Sequence, residues 1–228
     1  LCHVSDFGRA LLGAGIKRGD RIATLAPPSI EYWICFLASV AIGAQWFGLN
    51  PKYKKRELTY FIHDAEPRLV FTFPEFDGRN YAHELKLICQ EADIHKNCNV
   101  IEFSGDSFDI QTAVNTLLAE SEPVSKKTFM KMARKVRGDD IAAIVYTSGT
   151  TGHPKGAMLS HQTMRRCASA SVAWMGESLE KVAMAFPINH IGSLNAIGMN
   201  VLTLGGVIYF LNRFNIWEIV KLGKNEGI

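Results

Sequence analysis

The stretch Tyr146-Thr147-Ser148-Gly149-Thr150-Thr151-Gly152-His153-Pro154-Lys155-Gly156 concentrates groups that bind anions. It carries four aliphatic hydroxyls, three glycines and one lysine. Glycines let backbone N–H groups approach an anion with no Cβ in the way, and they permit positive φ. The hydroxyls add donors, and a lysine ammonium adds a point charge suited to phosphate. Pro154 restrains the backbone on both sides, which limits the directions in which Lys155 can leave the loop. The apolar run 141–145 leads in, and the strand-like Ala157-Met158-Leu159 follows. A loop of this kind between buried strands can hold a polyphosphate. The competing reading is a polar surface hairpin.

The spacing is not that of the common nucleotide loop, which places four residues between its first glycine and a Gly-Lys-Ser/Thr end. Here two residues separate Gly149 from Gly152, and Lys155 comes later with Gly156 after it. The string resembles the signature loop of the adenylate-forming superfamily, which reads Thr/Ser-Ser-Gly-Thr/Ser-Thr-Gly-x-Pro-Lys-Gly. That superfamily holds acyl- and aryl-CoA synthetases, peptide-synthetase adenylation domains and firefly-type luciferases. Every fixed position matches, with His153 at the variable one. Further likenesses run from end to end: Gly19-Asp20-Arg21-Ile22-Ala23, Leu49-Asn50-Pro51 with Glu57-Leu58 and Tyr60, Asp139-Asp140-Ile141-Ala142, and Leu204-Gly205-Gly206 with Phe214.

The resemblance implies a two-step reaction. A carboxylate attacks the α-phosphorus of ATP, giving an acyl-adenylate and pyrophosphate, and coenzyme A then takes the acyl group. A carboxylate is already ionised at neutral pH, so the first step needs no general base. It needs two anions held in line and the charge on the departing pyrophosphate stabilised. Thr147, Ser148, Gly149, Thr150, Thr151, Gly152 and Lys155 are the expected phosphate ligands, with Thr147 beside Mg²⁺. Phe186-Pro187-Ile188-Asn189-His190-Ile191-Gly192 resembles the family segment whose histidine follows a proline by three residues. The resemblance places His190 beside the carboxylate and the thiol route, as a gate. Gly192 is closer to the histidine than in many members, so the local turn differs. The competing reading is a histidine that caps a helix. His161 after Ser160 is expected to be structural.

The same resemblance makes residues 1–228 an internal part of the large N-terminal adenylation domain, cut at both ends and without the C-terminal domain. The adenine and ribose segments and the late lysine of the family have no counterpart in this chain. The piece alone is therefore expected to be inactive. Thr150 favours a CoA ligase over an amino-acid-activating domain, and Leu194 and Ile197 after His190 favour an aliphatic acid. The alternatives are an aryl- or amino-acid-activating domain, or a non-catalytic nucleotide-binding module.

Composition is ordinary for a globular α/β protein. At 228 residues and 47% hydrophobic, the chain can bury a sizeable core. A net charge of +3 is too small to imply nucleic acid. The basic runs 52–56 and 126–135 read as solvated faces. Cys2, Cys35, Cys89, Cys98 and Cys167 are odd in number and never two residues apart, which fits reduced thiols better than zinc or a disulfide framework. The apolar run 32–44 is short for a membrane span, and with no signal peptide the expected location is cytoplasmic.

The elements that must position these groups alternate. Periodicity predicts helices over 4–14, 29–44 with Ser29 as N-cap, 55–65, 81–92, 110–119, 160–173 with Ser160 as N-cap, 191–204 and 216–225. It predicts strands over 21–26, 45–49, 68–73, 99–103, 141–146, 182–186 and 207–211. Alternation of this kind means an α/β fold of stacked layers with largely parallel sheet.

Overall fold

The computed structural model describes residues 2–91, 98–103, 110–119, 121–147, 154–175 and 180–228. Helix α1 (Cys2–Gly13) precedes strand β1 (Arg21–Leu25). Helix α2 (Ile30–Ala41) starts where expected: the Ser29 side chain accepts the Tyr32 N–H at 3.2 Å. Strand β2 (Gln45–Leu49), helix α3 (Lys55–Ala65) and strand β3 (Leu69–Thr72) follow. The α3 start is fixed by the Glu57 carboxylate, which accepts the Lys54 N–H at 2.8 Å. A short hairpin, β4 (Glu75–Phe76) and β5 (Arg79–Asn80), leads into α4 (Tyr81–Glu91) and β6 (Asn99–Glu102). Helices α5 (Ile110–Leu117) and α6 (Lys126–Ala133) precede strands β7 (Ile141–Thr147) and β8 (Lys155–Ser160). Helix α7 (His161–Met175), β9 (Lys181–Met184), α8 (Asn200–Leu204), β10 (Val207–Phe210) and α9 (Ile216–Glu226) complete the described elements.

Six strands form one sheet in the order β6-β3-β1-β2-β7-β8, parallel except for the antiparallel β7–β8 pair. Side chains alternate across it, as the two-residue strand period requires. Ile22, Trp46, Phe71 and Val145 face a core shared with α1, α2, α5 and α6. Ala23, Phe47, Val70 and Ile144 face a second core closed by α3 and α4. The result is three layers, helix–sheet–helix. One buried polar chain crosses this core: the Trp46 indole donates to Thr24 Oγ1 at 3.0 Å, and that hydroxyl donates to Cys35 Sγ at 3.2 Å. Strands β9 and β10 pair in parallel as a separate small sheet.

One sequence expectation is corrected, and one short element was not foreseen. The stretch read as one helix over 191–204 is a π-helix, Gly192–Met199, that becomes α-helical only at α8. Its two glycines and Asn195 are weak α-helix formers, and packing decides the winding: Gly198 lies where a Cβ would come within 2.8 Å of Trp33 Cζ3. The basic run 126–135, read as a solvated loop or helix face, contains the helix α6, capped by Ser125 and anchored by the buried Phe129, with Lys126, Lys127 and Lys131 exposed. The β4–β5 hairpin is too short for period-based reading to see. No helix among the described residues is long and apolar enough to cross a membrane.

Candidate functional site

The candidate phosphate loop hangs between β7 and β8. Tyr146 pairs with Gly156 and Thr147 with Lys155 across that ladder. Ser148, Gly149, Thr150, Thr151, Gly152 and His153 lie outside the described residues. The two described ends of the loop are tied down. Thr147 Oγ1 donates to the Lys155 carbonyl at 3.4 Å. The Tyr60 hydroxyl donates to the Pro154 carbonyl at 2.8 Å. The Tyr146 hydroxyl donates to Asp64 Oδ2 at 2.6 Å. Tyr60 and Asp64 are four residues apart on α3, hence on one face, and that face grips both sides of the loop. The Phe61 ring packs on Tyr146 with centroids 4.5 Å apart. Burial, and then the hydrogen bond to the Asp64 carboxylate, raise the Tyr146 phenol well above its ordinary range. It stays neutral and acts as a donor.

Lys155 is the first residue of β8 rather than a loop residue. Its side chain is exposed, and among the described residues no carboxylate pairs with it. A strand backbone thus fixes the root of a cation left available to a ligand.

The second predicted group follows β9. The Pro187 carbonyl accepts the His190 N–H at 3.2 Å, and the His190 carbonyl accepts the Leu194 N–H at 2.9 Å. His190 Nδ1 accepts the Gly192 N–H at 3.3 Å. The histidine therefore caps the π-helix while its ring stays exposed. Beside it, Asn189 donates to the Tyr53 hydroxyl at 3.3 Å, and its Oδ1 is buried without a partner among the described residues. Burial and the nearby Glu57 charge raise the Tyr53 phenol, and the Asn189 hydrogen bond offsets part of that rise. The turn can approach β2 because Gly48 has no side chain: a Cβ there would collide with the Tyr32 hydroxyl and lie 2.6 Å from Asn189 Cβ.

These pieces meet. A cleft of about 540 Å³ is lined by Asn50, Tyr53, Tyr146, Phe186, Pro187, Asn189, His190 and the Gly192–Ile197 face of the π-helix. Asn50 follows the carboxyl end of β2, Tyr146 lies near that of β7, and Phe186 follows that of β9. Ligands of open parallel sheets bind beyond such carboxyl ends. Tyr146 and His190 share the cleft; Thr147 and Lys155 are not among its lining residues. His161 sits elsewhere, at the start of α7. Its imidazole is shifted down by burial, partly offset by Asp140, in keeping with a structural part. Sequence reasoning missed Asp64, Tyr53 and the role of Asn189; the four-residue Tyr60–Asp64 spacing was the available signal for the first.

No group of three or more His, Cys, Asp or Glu that could hold a metal occurs among the described residues. The Thr147 hydroxyl cannot hold a magnesium ion alone. It fits Mg²⁺ only as one ligand of an ion carried largely by phosphates.

Known proteins resemble the chain over nearly its whole length. The model of the family described as AMP-binding enzyme matches residues 1–224. The chain is 28% identical to 4-coumarate–CoA ligase 3 of Arabidopsis thaliana over 221 residues, 94% of this chain and 36% of that protein. It is 26% identical to a long-chain-fatty-acid–CoA ligase of Bacillus subtilis (strain 168), over 91% of this chain and 40% of that protein. Among solved structures, ATP-bound MatB from Rhodopseudomonas palustris superposes with a TM-score of 0.78 at 29% identity. That match covers 98% of this chain and 42% of MatB. The AMP complex of O-succinylbenzoate coenzyme A synthetase (MenE) from Bacillus subtilis, at 20% identity and a TM-score of 0.75, shares the fold. The chain thus spans only about two fifths of the curated relatives it matches.

Proposed function

The chain belongs to the family of AMP-binding, adenylate-forming enzymes, and from that premise we propose that the whole protein activates a carboxylic acid with ATP and passes the acyl group to coenzyme A. The observation that carries this reading is the convergence of the β7 and β9 ends on one cleft that both Tyr146 and His190 line. Phosphates belong on the Lys155 side. The Lys155 ammonium, unpaired among the described residues, the Thr147 hydroxyl and the loop Ser148, Gly149, Thr150, Thr151, Gly152 supply donors for charge that grows on the departing pyrophosphate. Mg²⁺, bound with the nucleotide near Thr147, would neutralise phosphate charge. The acid belongs in the cleft, with its carboxylate toward His190, whose exposed ring stands where the acceptor thiol would pass. Residues 1–228 are then part of the N-terminal adenylation domain, and the remaining nucleotide and metal ligands belong to other parts of the protein.

The acid is apolar. Ala196 and Ile197 of the π-helix offer an aliphatic chain a smooth wall, which supports a fatty acid. The Tyr53 and Tyr146 rings on the same cleft favour an aryl acid as the second reading. The test is carboxylate-dependent exchange of pyrophosphate into ATP by the full-length protein, run across straight-chain and aryl acids. Exchange with apolar acids is expected. Nucleotide binding without exchange for any acid would sink the enzyme reading in favour of a binding module.

A further inference from the structure

Two thiols nine residues apart, on different elements, lie in contact. Cys89 is near the end of α4, and Cys98 immediately precedes β6. Their sulfurs are 3.0 Å apart, and both residues are free and half-buried against the second core. A disulfide needs sulfurs at ~2.05 Å, so the pair must close by only about 1 Å. We propose that Cys89 and Cys98 are a peroxide-sensitive dithiol pair that closes reversibly into a disulfide joining α4 to β6.

The remaining cysteines lack this arrangement. Cys35 is fully buried, and burial pushes its thiol up to about 12, which makes it inert. Cys2 and Cys167 are exposed without a sulfur partner among the described residues. Within the pair, the hydrogen bond the two thiols share lowers the Cys89 thiol and raises that of Cys98, which assigns Cys89 as the nucleophile. The Cys89 thiolate attacks one oxygen of hydrogen peroxide, the O–O bond breaks, and the departing hydroxide takes a proton to become water. Cys98 sulfur then attacks the Cys89 sulfenic sulfur; the S–O bond breaks and a second water leaves with the Cys98 proton. Two thiols are oxidised and one peroxide is reduced to two waters.

The site is separate from the cleft. Strand β6 lies at one edge of the six-stranded sheet, and β7 and β8 lie at the other. The pair's chemistry therefore does not depend on the proposed acid activation.

The test uses full-length protein treated with graded hydrogen peroxide, alkylated, digested with trypsin without reductant and mapped by mass. Lys96 separates the two cysteines, so trypsin leaves them on different peptides. The expected product is one species joining those peptides, lighter than their sum by two hydrogens and split by a thiol reductant. Cys98→Ser should lose the linked species and instead leave Cys89 as a sulfenic acid that dimedone traps. The wild-type map stands even if that variant fails to fold. The proposal is overturned if both thiols stay alkylatable at peroxide doses that oxidise Cys2 and Cys167, or if either pairs with another cysteine instead.

Discussion

Lys155 and His190 carry different burdens, and single substitutions separate them. Lys155 is an exposed cation rooted in a strand, with no counter-ion to satisfy among the described residues. Its removal leaves no buried carboxylate stranded, so Lys155→Ala should fold normally. It should slow adenylate formation by about 10²–10³-fold, the usual cost of one lost donor to developing charge. Acid binding, measured by calorimetry, should barely move. Unchanged exchange in this variant would place the phosphates elsewhere. His190 both caps the π-helix and faces the cleft. His190→Ala loses both roles, whereas Asn can still accept the Gly192 N–H. Both variants should alter the chain-length profile for acids while ATP affinity holds. Only the alanine should also lose stability, by about 0.5–1.5 kcal/mol. A collapse of ATP binding with an unchanged acid profile would remove the gate role.

Helix α3 holds the loop by reaching across to β7 and β8, and this brace has a pH signature. The Tyr146 phenol titrates higher in the folded chain than its ordinary value of about 10. A raised folded value means its contribution is complete below that ordinary value and is lost as pH rises through the folded one. Urea unfolding across alkaline pH should therefore show stability falling, with a shallower fall in Tyr146→Phe. At neutral pH the same variant should cost about 0.5–1.5 kcal/mol for the lost bond to Asp64. Identical alkaline slopes would mean that Tyr146 is not held by Asp64 in solution. Strand β2 makes a second test at this scale. Gly48→Ala drives a methyl into the Tyr32 hydroxyl and the Asn189 turn. Overpacking of this kind costs about 1–3 kcal/mol. It should also weaken acid affinity by pushing Asn189 from its place; intact affinity would show that the turn does not shape the cleft.

At the scale of the whole molecule, α7 and α9 each carry an exposed tryptophan: Trp174 is 87% accessible and Trp217 79%. Residues 1–228 produced alone should therefore bind a hydrophobic dye such as ANS, and should show no pyrophosphate exchange even with saturating acid. Robust exchange by that piece would mean that the described cleft and loop suffice. Much of this molecule was legible in its residues. The signature loop, the Ser29 and Ser160 caps and the alternation of helices with strands depend on neighbours within a turn or two of chain, so they survive in a linear reading. The placement of Lys155 in β8 and the π-winding after His190 did not, because packing overrode local pattern. Long-range pairings were beyond reach for a further reason. Tyr146 meets Asp64 across 82 residues, and Asn189 meets Tyr53 across 136. Cys89 and Cys98 are near in sequence, yet only the packing of α4 against β6 turns their sulfurs together. The sequence by itself determined the family, because its motifs reside in short ordered strings. Tertiary structure alone decided which strand ends share a cleft, because strand order is set by burying two sheet faces at once.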